Sequence, residues 1–283
     1  MPKKTFPEQH QAPPGKEWEM TPKPVYDDPQ IKGSGQLLDK AAIITGGDSG
    51  IGRAVAVAFA KEGADVVIVY LKANKDADET KQAVEGYGRR CVTVCADLRQ
   101  EASAQQVSDE TLTAFGKIDI LVNNIGVQYP QNSITDISAE QLEDTFRTNI
   151  FSYFFMTKAV LPHLKPGSTV INTASVTAYK GSAELIDYSS TKGAIVSFTR
   201  SLSISLLKNG IRVNAVAPGP VWTPLIPSSF SPQKVSEFGA DVPVQFAAQP
   251  VQLAPAYVFL ASQSASYVSG QVLHVNGGVI VDS

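Results

Sequence analysis

Tyr188 and Lys192 stand four residues apart, and Ser175 precedes the tyrosine by thirteen residues. A spacing of four stacks two side chains on one face of a helix. A free tyrosine has a pKa of about 10, but an ammonium about 4 Å away contributes on the order of 4 kcal/mol at an effective dielectric constant near 20. That energy lowers the pKa of a phenol by roughly three, which predicts that Tyr188 exchanges a proton with a carbonyl or alcohol oxygen. The Ser175 hydroxyl would hold the same oxygen.

Four glycines, Gly46, Gly47, Gly50 and Gly52, fall within seven residues between two apolar runs. Glycine gives up side-chain packing and costs backbone entropy, so this density indicates a tight turn or a ligand that approaches the backbone closely. The run before the turn, 41–45, is typical of a strand, and 51–63 has the pattern of a helix. A glycine turn in this context predicts a dinucleotide site, with the pyrophosphate on the helix N-terminus.

The elements that must position these residues alternate from residue 37 onward. Short apolar runs, each followed by a helical pattern, predict strands at or near 41–45, 64–71, 89–98, 118–126, 168–175, 210–219 and 270–278. Such alternation indicates a parallel sheet covered on both faces. We therefore predict an α/β fold with a doubly wound, parallel, seven-stranded sheet of the Rossmann type, in which ligands bind beyond the carboxyl ends of the strands. The longest predicted helices are 139–164 and 187–208.

Two further segments differ in composition from the rest. Residues 1–36 hold seven of the 18 prolines and no apolar period, which predicts an extended arm before a single catalytic domain at 37–283. The arm is either a flexible tail or lies along a neighbouring subunit, with Trp18, Met20 and Tyr26 as candidate anchors. The segment 222–246 has four prolines and weak periodicity, which predicts a lid over a mostly apolar pocket.

Bulk composition excludes several classes of protein. With 43% hydrophobic and 18% charged residues, the chain is typical of a globular protein. A net charge of −3 gives no basic surface for nucleic acid or an anionic membrane. No run approaches the roughly 20 apolar residues of a membrane span, and the first residues are too polar for a signal peptide, so a cytoplasmic location is expected.

The cysteines and histidines predict neither a disulfide nor a metal site. Cys91 and Cys95 lie on one predicted strand, about 13 Å apart, which is too far for a disulfide. Unpaired cysteines of this kind fit a reducing compartment. The three histidines show no ligand spacing, and no metal is expected; they are His10, His163 and His274.

The motifs together resemble those of the short-chain dehydrogenase/reductase family over about residues 38–280. Thr45-Gly46 with Gly50-Ile51-Gly52 is similar to the family's glycine motif, and Asn123–Gly126 to its N-N-A-G motif, with Ile125 in place of the usual alanine. The remaining matches are the catalytic tetrad Asn149, Ser175, Tyr188 and Lys192, the loop Pro218-Gly219 with Thr223, and the pair Asp97 and Leu98. The arm and the G-G-D-S-G-I-G turn also resemble, more loosely, a bacterial subgroup of aldehyde and ketone reductases with a proline-rich N-terminal extension.

The resemblance implies an oxidoreductase that transfers a hydride between a nicotinamide cofactor and a carbonyl or alcohol, with Tyr188 as the acid/base. It implies that Lys192 binds the nicotinamide ribose, that Asn149 carries a water, and that the subunits form a homotetramer through helices 139–164 and 187–208 and the last strand. The cofactor residues it predicts are Gly46, Asp48, Ser49, Gly50, Ile51, Gly52, Tyr70, Leu71, Lys72, Asp97, Leu98, Asn124, Gly126, Tyr188, Lys192, Pro218, Gly219, Val221 and Thr223. We expect the substrate near Ser175, Gln128, Val176, Tyr179 and Trp222.

The end of the second strand predicts which dinucleotide is used. A carboxylate there would accept hydrogen bonds from the adenosine ribose and repel a 2′-phosphate, which selects NAD. This chain has Tyr70 and Leu71 instead, followed by Lys72, and Arg53 adds positive charge near the turn. Ser49, by contrast, stands where many NADP-specific members carry a basic residue. NADP(H) is favoured, with NAD(H) as the alternative.

Other functions of the same fold are distinguished by these residues. A non-catalytic dinucleotide sensor would lose the tyrosine or the lysine, and this chain keeps both. A sugar-modifying epimerase or dehydratase would open with a different glycine spacing and add a substrate lobe. An enoyl reductase of the superfamily would tend to space its tyrosine and lysine more widely.

Overall fold

The structure is a computed structural model that describes residues 5–281. Residues 1–4 of the predicted arm and 282–283 at the end of the predicted domain lie outside it. The described chain forms a seven-stranded parallel sheet in the order β3-β2-β1-β4-β5-β6-β7, which confirms the predicted fold class. Its strands are β1 Ala41–Thr45, β2 Asp65–Tyr70, β3 Cys91–Cys95, β4 Ile120–Asn123, β5 Thr169–Thr173, β6 Arg212–Pro218 and β7 Val272–Val275.

Helices cover both faces of the sheet. The α-helices are α1 Gly50–Lys61, α2 Asn74–Glu85, α3 Glu101–Phe115, α4 Ala139–Phe146, α5 Ser152–Val160, α6 Thr177–Lys180, α7 Ile186–Leu206, α8 Leu225–Ser229, α9 Pro232–Ser236 and α10 Ala254–Ala261. Short 3-10 helices occupy Glu17–Glu19, Ile134–Asp136, Leu161–His163, Leu207–Asn209, Pro250–Gln252 and Gln263–Ala265. Within the described residues, no helix is long and apolar enough to span a membrane.

Alternate residues of each central strand enter two separate apolar cores. On β1, Ile44 packs into the cluster that contains Phe59 of α1 and Tyr257 of α10. Its neighbour Ile43 packs on the opposite face, with Met156 of α5 and other residues there. Because both faces are covered, every residue of β1 is buried, and this explains the unbroken apolar runs in the sequence.

The sheet brings the chemistry-bearing residues to one edge. The strand order reverses beside β1, which pairs with β2 on one side and with β4 on the other. The glycine turn follows β1, and Asn124 follows β4, so both lie at this switch point, where open α/β sheets bind ligands.

The predicted helix 139–164 is interrupted in the structure. Between α4 and α5, residues Arg147–Phe151 form a π-helical segment, and Leu161–His163 is a 3-10 turn. The apolar pattern cannot reveal such an insertion because it adds one residue to a turn without breaking the helix. Asn149 lies in this segment. The predicted helix 187–208 is α7 followed by the 3-10 turn Leu207–Asn209.

The N-terminal arm packs on its own chain over the described residues. Phe6 stacks on Trp222 with ring centroids 3.8 Å apart, and Met20 is buried in the same cluster. Tyr26 lies 5.2 Å from the guanidinium of Arg53, and Trp18 lies within cation–π distance of Lys16 and Lys75. The arm thereby reaches both the lid segment and the glycine turn.

Candidate active site

A cavity of about 1060 Å³ opens at the carboxyl edge of the sheet. It is large enough for a dinucleotide together with a small substrate, and it is lined by most of the predicted cofactor residues. Those that line it are Gly46, Asp48, Ser49, Gly50, Ile51, Tyr70, Leu71, Lys72, Asp97, Leu98, Asn124, Gly126, Tyr188, Lys192, Pro218, Gly219, Val221 and Thr223. Gly52 lies behind the turn and does not line the cavity.

The geometry of the glycine turn fits the phosphates of a dinucleotide. Gly50 has a φ of +53°, which disfavours any residue with a side chain. A Cβ at Gly52 would overlap the carbonyl oxygen of Gly46, so helix α1 can pack this closely only with glycine there. The Asn124 amide donates to the carbonyl oxygens of Thr45 (3.2 Å) and Gly46 (3.3 Å) and holds the turn against β4. The result is a rigid cradle of backbone at a helix N-terminus.

Ser175, Tyr188 and Lys192 meet at the cavity wall where β5 ends and α7 begins. The Lys192 ammonium donates to the Thr173 carbonyl oxygen (2.8 Å) and lies 5.4 Å from the centroid of the Tyr188 ring. Tyr188 is hydrogen-bonded to Ser175. The backbone N–H and the hydroxyl of Thr177 both donate to Ser175 Oγ (3.1 and 3.0 Å), which leaves the Ser175 hydrogen free to point elsewhere.

The structure contradicts the expected lowering of the Tyr188 pKa. Burial raises the pKa of Tyr188 to about 12, and the hydrogen bond with Ser175 offsets this only in part. Burial also lowers the pKa of Lys192 to about 7. The prediction assigned Lys192 a full charge acting through a dielectric typical of a surface. Burial, nearly complete for Lys192 and partial for Tyr188, instead costs both ionised forms solvation. Tyr188 is therefore a neutral phenol at neutral pH.

Asn149 supports the site from behind the cavity wall. Its Oδ1 accepts from the Val127 N–H (2.8 Å), and its Nδ2 donates to the Val127 carbonyl (2.9 Å) and to Thr191 Oγ1 (3.1 Å). Asn149 thus ties the π-helical segment to the strand end beside Gly126 and to α7, one residue before Lys192. Of the four predicted catalytic residues, it is the one that does not line the cavity.

Charged groups cluster where the adenosine end of a dinucleotide would lie. Asp97 pairs with Arg99 (2.8 Å), and the hydrogen bonds from Arg99 hold the pKa of Asp97 below its usual value, with a smaller contribution from Lys72. Arg99 also pairs with Asp144 (2.6 Å). Lys72 lines the cavity and forms no salt bridge with any residue of the described chain.

Arg53 does not have the role predicted for it. Its guanidinium is 2% exposed and pairs with the carboxylates of Glu17 (2.7 Å), Asp76 (3.1 Å) and Glu79 (3.3 Å). Since all three partners are acidic and the arm covers it, Arg53 contributes no free positive charge to a 2′-phosphate. The helical position of Arg53 was evident from the sequence, but its partners were not.

Two predicted substrate residues lie away from the cavity. Trp222 is fully buried against Phe6 and donates through Nε1 to the Pro22 carbonyl (2.9 Å). Tyr179 packs edge-on against His274, with ring centroids 4.6 Å apart, and is absent from the cavity lining. Residues next to each of them in the chain line the cavity, but the side chains of Trp222 and Tyr179 point into the protein.

Gln128 and Val176 line the cavity beside Ser175, as expected. The Gln128 side chain is 6% exposed, and its Nε2 has no hydrogen-bond partner among the described residues. A buried amide donor without a partner costs free energy unless a ligand or water accepts its hydrogen bond. Gln128 is therefore a candidate contact for a polar group of a ligand in this cavity.

The segment 222–246 covers the outer end of the cavity with α8 and α9. The cavity surface is mostly apolar, as predicted. The segment contributes apolar side chains to it, among them Leu225, Ile226, Phe230, Phe238 and Val242, and also the charged side chains of Lys234, Glu237 and Asp241. Lys234 forms an ion pair with Glu184, which bridges the segment to the loop before α7.

The residues that the sequence analysis missed come from the arm. Pro13, Pro14 and Gly15 line the cavity. Glu17 accepts a hydrogen bond from the Gly50 N–H at the start of α1 (2.6 Å). The predicted anchors Trp18 and Met20 closely follow Glu17, but no local pattern marks a single acidic residue in a proline-rich stretch as the partner of a distant helix.

Comparisons with known proteins agree with this geometry. A family model described as enoyl-(acyl carrier protein) reductase matches residues 46–280. The chain is 60% identical over 281 residues to the Bacillus subtilis oxidoreductase YhxC, covering 99% of this chain and 98% of the relative. It is 51% identical to the glucose and ribitol dehydrogenase of Daucus carota (98% and 97% covered) and 50% identical to NADPH-dependent aldehyde reductase 1, chloroplastic, of Arabidopsis thaliana (96% and 97% covered).

Solved structures extend the similarity to three dimensions. A short-chain dehydrogenase from Burkholderia cenocepacia in complex with NADP has a TM-score of 0.81 at 29% identity, covering 86% of this chain and 98% of that one. The resemblance drawn from the motifs is thereby confirmed. With the glycine turn, the seven-stranded sheet and the relatives in agreement, the chain belongs to the short-chain dehydrogenase/reductase family.

Proposed function

We propose that this protein transfers a hydride between NADP(H) and an aldehyde, a ketone or a secondary alcohol, with Tyr188 as the acid/base. One observation carries the proposal: Tyr188, Ser175 and Lys192 line the same cavity as the glycine turn. A bound nicotinamide supplies the hydride or accepts it. The protein residues then have to hold the substrate oxygen and move one proton.

In the reductive direction, Ser175 and Tyr188 act together on the carbonyl oxygen. Ser175 Oγ is fixed by two hydrogen bonds from Thr177 and directs its own hydrogen to the substrate oxygen. Tyr188 is a neutral phenol at neutral pH because burial raises its pKa to about 12, so it can donate its proton to that oxygen as the carbon is reduced. The product is an alcohol, and the phenolate that remains is stabilised by the nearby Lys192 ammonium.

Lys192 and Asn149 restore the proton. The pKa of Lys192, lowered to about 7 by burial, lets it release a proton to the Tyr188 phenolate at working pH. Asn149 is hydrogen-bonded to the backbone of Val127 and to the hydroxyl of Thr191, the residue before Lys192. These bonds fix the segment after β4 relative to α7. We assign Asn149 the water-carrying role that the family resemblance implies.

NADP(H) is the proposed cofactor, with NAD(H) as a weaker alternative. No acidic residue follows β2, where Tyr70, Leu71 and Lys72 line the cavity. Lys72 is the basic group free to meet a 2′-phosphate, since Arg53 is enclosed by carboxylates. The Arabidopsis relative is named as NADPH-dependent and the Burkholderia structure contains NADP, which supports the same choice.

The substrate proposed is a small or medium-sized aldehyde, ketone or alcohol. The free amide donor of Gln128 favours a substrate with a polar group beyond its reacting oxygen. The Daucus relative is named for glucose and ribitol and the Arabidopsis relative for aldehydes, so sugars, polyols and aldehydes belong in one substrate panel. The description of the matching family model adds an enoyl thioester to that panel as a second candidate.

The decisive experiment compares Tyr188→Phe with the wild type. Turnover of NADPH with the panel should fall by orders of magnitude in Tyr188→Phe, while the Kd for NADPH, measured by fluorescence, stays within about threefold, because the lost hydroxyl moves a proton and does not hold the turn. Tyr87→Phe, at an exposed tyrosine that follows α2 and does not line the cavity, is the matched control. Near-normal turnover in Tyr188→Phe would overturn the assignment. Turnover of the enoyl thioester alone would favour the second candidate.

The assembly we propose is a homotetramer. Apolar side chains on α5, at the end of α7 and near the C-terminus are exposed in the single chain, among them Phe154, Ile204, Leu207, Tyr267 and Ile280. Exposed apolar surface of this extent favours burial between subunits. Light scattering at micromolar concentration should give the mass of four chains, and a stable monomer would refute the proposal.

The compartment we propose is a reducing one such as the cytoplasm. Cys91 and Cys95 are both free thiols, and Cys91 is buried on β3. Free thiols persist where glutathione and thioredoxin keep proteins reduced. Fractionation of the source cells would test this directly.

A further inference from the structure

The first turn of α1 lacks the cap that its own sequence offers. Ser49 stands at the N-cap position, but its side chain makes no capping hydrogen bond. The Gly50 N–H, one of the donors that a helix start leaves unsatisfied, instead donates to the Glu17 carboxylate of the arm at 2.6 Å. A carboxylate at a helix N-terminus is also favoured by the helix dipole. An arm residue thus caps the helix that carries the glycine turn.

The Glu17 carboxylate is held by several contacts at once. It is 2% exposed, and its second oxygen pairs with Arg53 Nη1 at 2.7 Å. The backbone N–H of Glu17 donates to Asp76 Oδ2 at 2.8 Å, and Arg53 pairs with the other carboxylate oxygen of Asp76. Breaking one partner of a buried set of charges is far more costly than losing a surface pair. These contacts therefore fix Glu17 relative to both α1 and α2.

The arm that carries Glu17 is anchored on the opposite side of the cavity as well. Gly15 packs so tightly on Pro224 that a Cβ there would overlap the Pro224 carbonyl. Pro22 accepts a hydrogen bond from Trp222, and Gln11 donates to the Pro227 carbonyl at 2.9 Å. The arm joins the glycine turn to the loop after β6, the two walls between which a dinucleotide would lie.

Glu17 supports the turn from behind instead of competing for its donors. Gly50 and Ile51 line the cavity, and Glu17 does not. Gly50 also marks the contact between the two walls, because a Cβ there would lie 2.9 Å from Cγ2 of Thr223. A shift of the Gly50 N–H would move the backbone donors and the Thr223 loop together.

We propose that Glu17 is a positioning residue for the dinucleotide: it caps α1 from the arm and holds the glycine turn in the arrangement that binds phosphate. This inference rests on the proposed function, since it concerns binding of the same cofactor. Without the carboxylate, the Gly50 N–H has no acceptor and Arg53 loses a buried partner, so the turn relaxes and the pyrophosphate site is no longer preformed.

The test measures NADPH binding to the full chain in three variants. Glu17→Ala should weaken the Kd for NADPH by about tenfold or more, whereas Glu17→Gln, which keeps an oxygen acceptor for the Gly50 N–H, should stay within about threefold. Glu19→Ala is the matched control, because Glu19 lies on the same 3-10 turn but is exposed and forms a surface ion pair with Lys16. Its Kd should match that of the wild type within about twofold.

A second readout does not depend on the cofactor. Hydrogen–deuterium exchange of the free protein should be faster in residues 46–56 of Glu17→Ala than in the wild type, and unchanged there in Glu19→Ala. If Glu17→Ala fails to fold, Glu17→Asp takes its place, since it withdraws the carboxylate by one methylene and should weaken binding in the same direction.

The outcomes separate this inference from the proposed function. Wild-type protein that binds neither NADPH nor NADH would overturn both. Wild-type protein that binds NADPH, with a Kd that is unchanged or tighter in Glu17→Ala, would overturn the role of Glu17 alone. Unchanged exchange at residues 46–56 would do the same.

Discussion

The stability of this protein should fall as pH rises through the range in which Glu17 ionises. Burial raises the pKa of Glu17 from 4.5 to about 7, and the opposing effects of Arg53 and of the Gly50 N–H do not offset it. The perturbation that removes this group is Glu17→Gln, which has nearly the same shape as the protonated glutamic acid and cannot titrate. The neighbouring carboxyls Asp48 and Asp76, whose pKa values burial also raises, remain in both proteins.

The sign follows from the proton count in each state. Between pH 4.5 and 7 the unfolded chain has released the Glu17 proton, whereas the folded protein still holds it. The unfolded state then binds fewer protons, so the free energy of unfolding decreases as pH rises. At about 1.4 kcal/mol per pH unit, the loss reaches about 3 kcal/mol across the window, complete above pH 7 and absent below pH 4.5.

The assay is urea unfolding of the wild type and Glu17→Gln from pH 4.5 to 8, at one fixed protein concentration because assembly shifts the apparent stability. The wild-type stability minus that of Glu17→Gln should fall by about 3 kcal/mol over this range. Distant groups such as Asp97, whose pKa is lowered by its hydrogen bonds to Arg99, titrate in both proteins and cancel. Glu19→Gln should give a difference that does not change with pH.

A difference between wild type and Glu17→Gln that stays constant with pH, or grows as pH rises, would refute the reasoning. It would mean that Glu17 is ionised throughout, with the Arg53 ion pair outweighing the cost of burial. The contact between Glu17 and the Gly50 N–H would stand in that case, but its contribution to stability would not depend on pH in this range.

Four further predictions address separate parts of the molecule. Gly52→Ala should abolish NADPH binding in a fluorescence titration, because the new methyl overlaps the backbone of the turn; a Kd near the wild-type value would contradict the packing described. Lys72→Ala should reduce the preference for NADPH over NADH in kcat/KM by about 1–3 kcal/mol, or roughly fivefold to 140-fold; an unchanged ratio would exclude Lys72 as the phosphate contact. A thiol reagent should modify Cys95 and leave Cys91 intact in the native protein, since Cys91 is buried and burial raises its pKa to about 12. A mass spectrum that shows both cysteines modified would disprove this prediction. Phe6→Ala should accelerate proteolysis at 225–236 by releasing the arm from the lid, and equal cleavage rates would show that the stacked pair does not restrain that segment.

Local spacing was sufficient to predict much of the fold and the site. The strand–turn–helix around Gly46–Gly52 depends on residues that are neighbours in sequence, and so does the four-residue stacking of Tyr188 and Lys192. The alternation of apolar runs with helical patterns likewise predicts a parallel sheet, because each unit buries its faces in the same way. The order of the strands then brings these segments to one edge.

The environment of each side chain depends on segments that are far apart in sequence. Trp222 and Pro22 are 200 residues apart, and their contact turns Trp222 away from the cavity that it was expected to line. The helical position of Arg53 follows from the sequence, but its carboxylate partners come from the arm (Glu17) and from α2 (Asp76 and Glu79). Such pairings leave no periodic trace in the sequence.

The sequence by itself determined the fold class, the cofactor turn and the residue types that could carry a proton, because these depend on local spacing and on the periodicity of burial. Only the tertiary structure decided how those groups are tuned. Burial keeps Tyr188 a neutral phenol and lowers the pKa of Lys192, the opposite of what a solvent-screened pair predicts. The tertiary structure also places Glu17 at the start of α1, where it caps the helix. Burial and long-range contacts of this kind arise only when distant segments pack together.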